Sequence, residues 1–200
     1  MIKALLFDFG DTIFVPDWKS LNDSMLEETG ISVILSPIIK DIYSKKVVIG
    51  KLSMKDIFKK IIDNSNLSVD VDFVVGRYYQ NYMKYSILDK KMIDLIKKLK
   101  NKMKIYGLTN TNEIHSQANK DRKLFSYFDN VFLSHKIGMK KPDKKLYNYV
   151  LRKINLSPQE VLFIDDKIEN IESAREMNIH AIKYENYEKL LVEIKKLDLL

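Results

Sequence analysis

The stretch Ile2-Lys3-Ala4-Leu5-Leu6-Phe7-Asp8 decides how this chain is read. Its short, mostly apolar run lacks helical periodicity and describes a buried strand. The run ends in a carboxylate, and Gly10 then suits a tight turn at little steric cost. Open α/β sheets bind ligands outside the carboxyl ends of their strands, so an acid placed there is a candidate for chemistry. The plainer reading, a turn cap, loses ground because three later apolar runs also end in polar or ionisable clusters.

Working outward, Lys104–Leu108, Val131–Leu133, Val161–Ile164 and Ala181–Ile182 read as further strands. Helical stretches separate them, Met92, Leu95, Ile96 and Leu99 among them. Such alternation predicts an α/β fold, a Rossmann-like parallel sheet flanked by helices on both faces. Right-handed crossovers would bring the strand ends to one edge. The region between the first strand and about Asp89 reads differently. Trp18, Leu21, Met25 and Leu26 form one helical face, with Gly30 as its C-cap. Ser36-Pro37 suits the start of a helix running to about Gly50, and Ser53 with Asp56 resembles a capping box. A fourth helix carries Phe73, Val74, Tyr78, Tyr79 and Tyr82, whose tyrosines are expected to pack. The division expected is a core of residues 1–15 and 86–200, with a helical insert of residues 16–85.

Two hundred residues suffice for a substantial core, and 46% hydrophobic with 30% charged residues describes an ordinary globular chain. The absence of cysteine excludes disulfides and thiolate metal sites and points toward an intracellular, cytoplasmic protein. No apolar stretch approaches the ~18 residues of a membrane span, so no membrane partner is expected. The net charge of +7 is nearly all lysine, and no nucleic-acid-binding motif is present. Nucleic acid is therefore not the expected partner, although a positive field would recruit an anionic substrate.

The clusters that follow the strands are Asp8 with Asp11-Thr12, Thr109-Asn110, Lys141 in Gly138-Met139-Lys140-Lys141-Pro142, and Asp165-Asp166. Thr-Asn can be a helix N-cap, and Lys-Pro can open a helix with Pro142 at its first position. Adjacent carboxylates are harder to dismiss, because they repel unless a cation compensates them. With Asp8 they form an oxygen-rich set of the kind Mg²⁺ prefers. In Phe7-Asp8-Phe9-Gly10-Asp11-Thr12-Ile13, Leu108-Thr109-Asn110, Gly138–Pro142 and Phe163-Ile164-Asp165-Asp166 the chain resembles the haloacid dehalogenase superfamily of hydrolases. The four motifs stand in that superfamily's order and cover essentially the whole chain. The insert looks like its helical cap of the first type. The later half is most similar to the branch of sugar-phosphate phosphatases and the phosphatase domain of epoxide hydrolases.

The resemblance implies a Mg²⁺-dependent phosphatase for a small phosphorylated metabolite, working as monomer or homodimer. Asp8 would be the nucleophile, forming an aspartyl-phosphate that water hydrolyses. The metal would sit among Asp8, the Gly10 carbonyl and Asp166, with Asp165 close by. Thr109 and Asn110 would bind phosphoryl oxygens, and Lys141 would balance the charge. Asn170 would act from outside that set. One position departs from the pattern. Most superfamily phosphatases carry a second aspartate two residues after the nucleophile as acid and base, and this chain has Gly10 there. Two other readings stay open: a metal-free 2-haloacid dehalogenase, and a binding or regulatory protein with little turnover. His115, His135 and His180 read as surface or satisfied residues, with His135 expected nearest the site. Trp18, Lys19, Lys45, Lys46, Arg77 and the tyrosines are the insert residues that could face a substrate.

Overall fold

A computed structural model describes residues 1–34 and 37–200, leaving aside the side chains of 37–39. Strand β1 (Ala4–Phe7) is buried along its whole length and lies at the centre of a five-stranded parallel sheet. The chain next forms β2 (Phe14–Pro16), four helices α1 (Trp18–Thr29), α2 (Pro37–Ile42), α3 (Met54–Asp63) and α4 (Val71–Tyr85), and then β3 (Ser86–Leu88). From there strands and helices alternate: α5 (Lys90–Lys100), β4 (Lys104–Thr109), α6 (Glu113–Asp121), β5 (Asn130–Leu133), α7 (Ser134–Ile137) and α8 (Lys144–Ile154). The last elements are β6 (Val161–Asp165), α9 (Ile168–Arg175), β7 (His180–Lys183) and α10 (Tyr187–Lys196).

The strand order is β5-β4-β1-β6-β7, with Ala4 to Phe7 in register against Lys104 to Gly107 on one side and Val161 to Ile164 on the other. Side chains alternate across a strand, so β1 and β6 feed two cores. Leu5, Phe7, Leu162 and Ile164 join Leu95, Leu99, Leu190 and Ile194 from α5 and α10 on one face. Leu6, Val161 and Phe163 join Leu146, Val150, Ile171 and Ala174 from α8 and α9 on the other. Covering both faces is what makes these strands read as continuous apolar runs. The expected α/β sheet with helices on both faces is present. Because the chain passes from β1 leftward to β5 and then back to β6, the crevice at the carboxyl end of β1 is the topological switch point.

The helical segment departs from its expected form at two places. Its ends are joined by a two-stranded antiparallel ribbon, β2 with β3, in which Pro16 pairs with Ser86. Three-residue strands containing a proline carry no readable alternation, and an isolated two-stranded edge tolerates the missing N–H. The helix expected to run to Gly50 widens after Ile42 into a π-helical turn, Tyr43–Val47. The N-cap expected at Ser36 lies outside the described residues. The Gly30 cap and the Ser53–Asp56 capping box form as expected.

Close contacts seat the helical segment against the strand edge. Gly50 has φ +72, and a Cβ there would lie 2.0 Å from the His135 carbonyl oxygen, so only glycine admits this approach. The Met54 amide donates to Glu113 Oε1 at 2.6 Å, and Asn112 Nδ2 donates to the Tyr43 hydroxyl at 3.1 Å. Within the segment, Arg77 on α4 binds Glu28 on α1, with Nε donating to Oε2 at 2.7 Å. Asn81 and Ser24 add further donors to the same carboxylate. Arg77, ahead of these, holds the Glu28 carboxyl down at about 2.

A folded-state pKa below the ordinary 4.5 contributes stability that is complete above 4.5 and lost as pH falls toward 2. Glu28→Gln is therefore expected to lower the melting temperature by a few degrees at neutral pH. The gap to wild type should narrow in thermal melts taken between those two pH values. A gap that stays constant with pH would show that the ionised carboxylate is not what links the helices.

Candidate active site

Asp8 directly follows β1, and its amide donates to the Ile164 carbonyl at 2.9 Å, which extends the ladder and fixes its backbone. The neighbouring strands end beside it, β4 in Thr109 and β6 in Asp165. The loop after Asp8 is held from below. Phe9 packs its ring over Gly107, where a Cβ would lie 2.7 Å from it, and against Phe128 at 5.1 Å between centroids. The amide of Ile13 donates back to the Phe9 carbonyl at 2.7 Å. Asp11 takes a left-handed conformation, φ 55, which a short polar residue tolerates.

At the centre lies Lys141, 2% exposed. Its Nζ stands 2.7 Å from Asp8 Oδ1 and 2.6 Å from Asp165 Oδ2. Burial by itself would push this ammonium's pKa down, but Asp8 and Asp165 outweigh it and the net shift is upward. Lys141 remains a cation. Burial pushes Asp8 up to about 7, against the opposing pull of Lys141 and with a further rise from Asp165.

The side chain of Asn110 clamps the loop that carries the lysine. Its Nδ2 donates to the Lys141 carbonyl and its Oδ1 accepts from the Lys141 amide, both at 2.9 Å. A contact from Asn110 to a ligand would therefore have to come from its backbone. The cap of α6 is Asn112, two residues later than the Thr-Asn pair, and α8 is capped by Asp143 rather than opened by Pro142.

The two adjacent acids differ in their surroundings. Asp165 accepts from Lys141, from the Lys167 amide at 2.8 Å and from Asn170 Nδ2 at 2.9 and 3.0 Å. Its oxygens are occupied. Asn170 thus acts through Asp165, and its own carbonyl accepts from the Tyr147 hydroxyl at 3.0 Å. Asp166 Oδ1, by contrast, is buried and has no hydrogen-bond partner. Burial and then the Asp165 charge raise its pKa. Carboxylate oxygens of Asp8, Asp165 and Asp166 all lie within 4.8 Å of one another. One buried ammonium does not balance three carboxylates. An unpartnered oxygen within such a set is the donor arrangement a hard divalent cation takes.

Asp8 and Lys141 open onto a cavity of about 610 Å³. Asp8, Gly10, Asp11, Thr109, Asn110, Lys140, Lys141 and Lys167 line its strand edge, and the helical segment forms the opposite wall. Among the insert residues weighed from sequence, Trp18, Tyr43, Tyr78 and Tyr82 reach the cavity. Lys19 and Lys45 pair outward with Asp23 and Asp41, and Arg77 is held by Glu28. Tyr78 and Tyr82 both pack in the core and line the cavity.

The histidine at the cavity is His115, not His135. It is buried, shares a 2.8 Å hydrogen bond with the Tyr78 hydroxyl, and stacks on Tyr82 at 3.9 Å. Burial pushes its pKa down to about 3, so it is neutral. On α6 its amide donates to the Asn112 cap at 2.8 Å, and its ring faces the helical segment. His180 is exposed, as expected. Lys40, Val33, Met54, Phe58 and Asn119 also line the cavity, and no motif marks them.

A model of the haloacid dehalogenase-like hydrolase family matches residues 5–184. A sesquiterpene phosphatase from Aspergillus oryzae is 24% identical over 198 residues, covering 98% of this chain and 96% of its own. A D-ribitol-5-phosphate phosphatase from Bacteroides thetaiotaomicron is 23% identical, covering 93% of each. The match to a drimenol cyclase from Aspergillus calidoustus, at 24% identity over 92% of this chain, spans only 34% of that protein. Among solved structures, a haloacid dehalogenase family enzyme from B. thetaiotaomicron, in complex with magnesium and inorganic phosphate, superposes with a TM-score of 0.77 at 22% identity, covering 95% of this chain and 99% of that one. With 180 of its residues matched in one span by the family model, the chain belongs to the haloacid dehalogenase-like hydrolase family.

Proposed function

We propose that this hydrolase is a Mg²⁺-dependent phosphatase of small phosphomonoesters, with Asp8 as its nucleophile. One observation carries the reading. A carboxylate at the end of the central strand faces a cavity, is paired to a buried lysine at 2.7 Å, and belongs to an acidic trio with an unpartnered oxygen. Asp8, Asp166 and the Gly10 carbonyl would hold the cation, with Asp165 close by. When bound, the metal offsets the repulsion between anionic nucleophile and anionic substrate.

The chain's own residues do the rest. Asp8 attacks phosphorus, and the bond from phosphorus to the ester oxygen breaks as the new bond forms. Water then attacks the aspartyl-phosphate, releasing inorganic phosphate and the free carboxylate. Lys141 places positive charge at the phosphoryl oxygens, and the Asn110 clamp together with Asp165 keeps it from moving. Thr109 supplies a hydroxyl at the adjacent strand end. Residues 16–85 would act as the cap that excludes water. The phosphatases among the relatives, and the magnesium and phosphate held by the structural neighbour, support the reading. The dehalogenase alternative has no use for the acidic trio.

The departing oxygen needs a proton, and Gly10 cannot provide one. The position itself is open, since a Cβ added at Gly10 meets no atom within 4 Å. The substrate's leaving group must therefore depart without an acid at that position.

Purified protein should release phosphate from p-nitrophenyl phosphate with Mg²⁺ and not in excess EDTA. Asp8→Asn should reduce turnover by about a thousandfold or more while still melting cooperatively. Retained turnover in that variant would exclude Asp8 as nucleophile, and halide release from a 2-haloacid in EDTA would favour the dehalogenase instead. Gly10→Asp is expected to raise kcat on alkyl phosphates by about a hundredfold, and far less on p-nitrophenyl phosphate, whose leaving group needs no proton. Equal effects on both esters would show that protonation of the leaving group is not limiting.

A further inference from the structure

We propose that the organic part of the substrate is apolar, so that the site takes the phosphomonoester of a hydrocarbon-like alcohol rather than of a sugar. This rests on the phosphatase reading and narrows it. The wall facing the strand edge is built from Phe14, Trp18, Val33, Val48, Met54 and Phe58. Among the described residues, Lys40 is the one charged group that the helical segment sends to the cavity. The other lysines there, Lys140, Lys141 and Lys167, come from loops at the carboxyl edge, where the phosphoryl group would be held.

Several of the polar atoms around that wall are already engaged with protein. The Tyr78 hydroxyl and His115 Nε2 bond each other at 2.8 Å, and the Tyr43 hydroxyl accepts from Asn112 at 3.1 Å. Ser44 Oγ accepts from Lys140 at 2.6 Å, and Asn119 Oδ1 accepts from Arg122. A sugar or polyol would bring several hydroxyls against a helical wall that offers few groups to receive them, so part of their hydration would be lost without replacement. A hydrocarbon makes no such demand and removes apolar surface from water. The aromatic stack strengthens the same preference. Tyr82 and His115 stack at 11°, and the Trp18 ring lies 5.9 Å from His115 at a tilt of 42°, an aromatic surface for alkyl, isoprenoid or aryl groups. Trp18 is half exposed where it reaches this wall, a large apolar side chain at the edge of the cavity.

The test compares monoesters of equal charge and leaving group: n-octyl phosphate below its micelle concentration against D-ribitol 5-phosphate and glucose 6-phosphate. Binding is measured calorimetrically on the Asp8→Asn protein with Mg²⁺, and separately as competitive inhibition of p-nitrophenyl phosphate hydrolysis by wild type. Octyl phosphate is expected to bind more tightly than either sugar phosphate by about tenfold or more. Trp18→Ala and Val33→Asp should each shrink that ratio. Sugar phosphates binding as well as octyl phosphate, or a ratio unchanged in both variants, would overturn the apolar assignment while leaving phosphatase activity standing. Failure of wild type to hydrolyse any ester would instead overturn the phosphatase reading, and the calorimetric ranking would still decide what the cavity prefers.

Discussion

A single ammonium between two carboxylates organises this molecule. Lys141 is almost wholly buried, and a charge in that position is tolerated only because Asp8 and Asp165 both lie within hydrogen-bond distance. Removing one partner from such a buried pair typically costs about 3–5 kcal/mol, so each member constrains the others. The constraint spreads through the sheet. Asn110 at the end of β4 fixes the lysine's backbone, Asn170 on α9 fixes Asp165, and Tyr147 on α8 fixes Asn170. Three strands and two helices thus converge on one cation, and the Asp8 carboxylate is oriented by elements far apart in sequence.

The imbalance of charge is as informative as the pair. Asp166 adds a third carboxylate without a compensating donor on its buried oxygen. In a purely structural network such an oxygen would be selected against, because an unsatisfied buried acceptor destabilises the fold. On the proposed reading, this is the oxygen that Asp166 would offer to a divalent cation. The same logic explains why Asp165, adjacent in sequence, is fully hydrogen-bonded. One carboxylate holds the lysine, and its neighbour is left available.

Above this edge, the helical segment supplies a wall of different chemistry. Its α1–α4 link, the π-helical turn at Tyr43–Val47 and the glycine contact at Gly50 place aromatic and aliphatic groups opposite the charges. A two-stranded ribbon closes the base of the segment, with Asp17 and Tyr85 bonded across it at 2.8 Å. The cavity is therefore densely charged along one side and largely aromatic and aliphatic along the other. That division is what the proposed preference for an amphipathic phosphomonoester rests on.

Much of this was legible in the residues alone. The buried runs at 4–7 and 161–165, the acids that end them, and the helix caps at Gly30 and Ser53 are local features, set by burial on both faces of a strand or by the dihedral needs of a turn. Asp8 and the Asp165-Asp166 pair stood out because a parallel sheet brings strand ends to one edge, whereas Thr109 and Lys141 were assigned through the resemblance of four ordered motifs to the haloacid dehalogenase superfamily. What periodicity could not supply was the direction of individual side chains and the partners they meet. Asn110 serves as a clamp, His115 and not His135 turns inward, and Asp165 and Asp166 have unlike environments, because each depends on contacts between residues remote in sequence. The sequence by itself determined the sheet, its order of chemistry and the identity of the charged groups, since these follow from short-range pattern. Only the tertiary structure decided which oxygens are free and which wall a ligand meets, since hydrogen-bond satisfaction and cavity shape arise when distant segments pack.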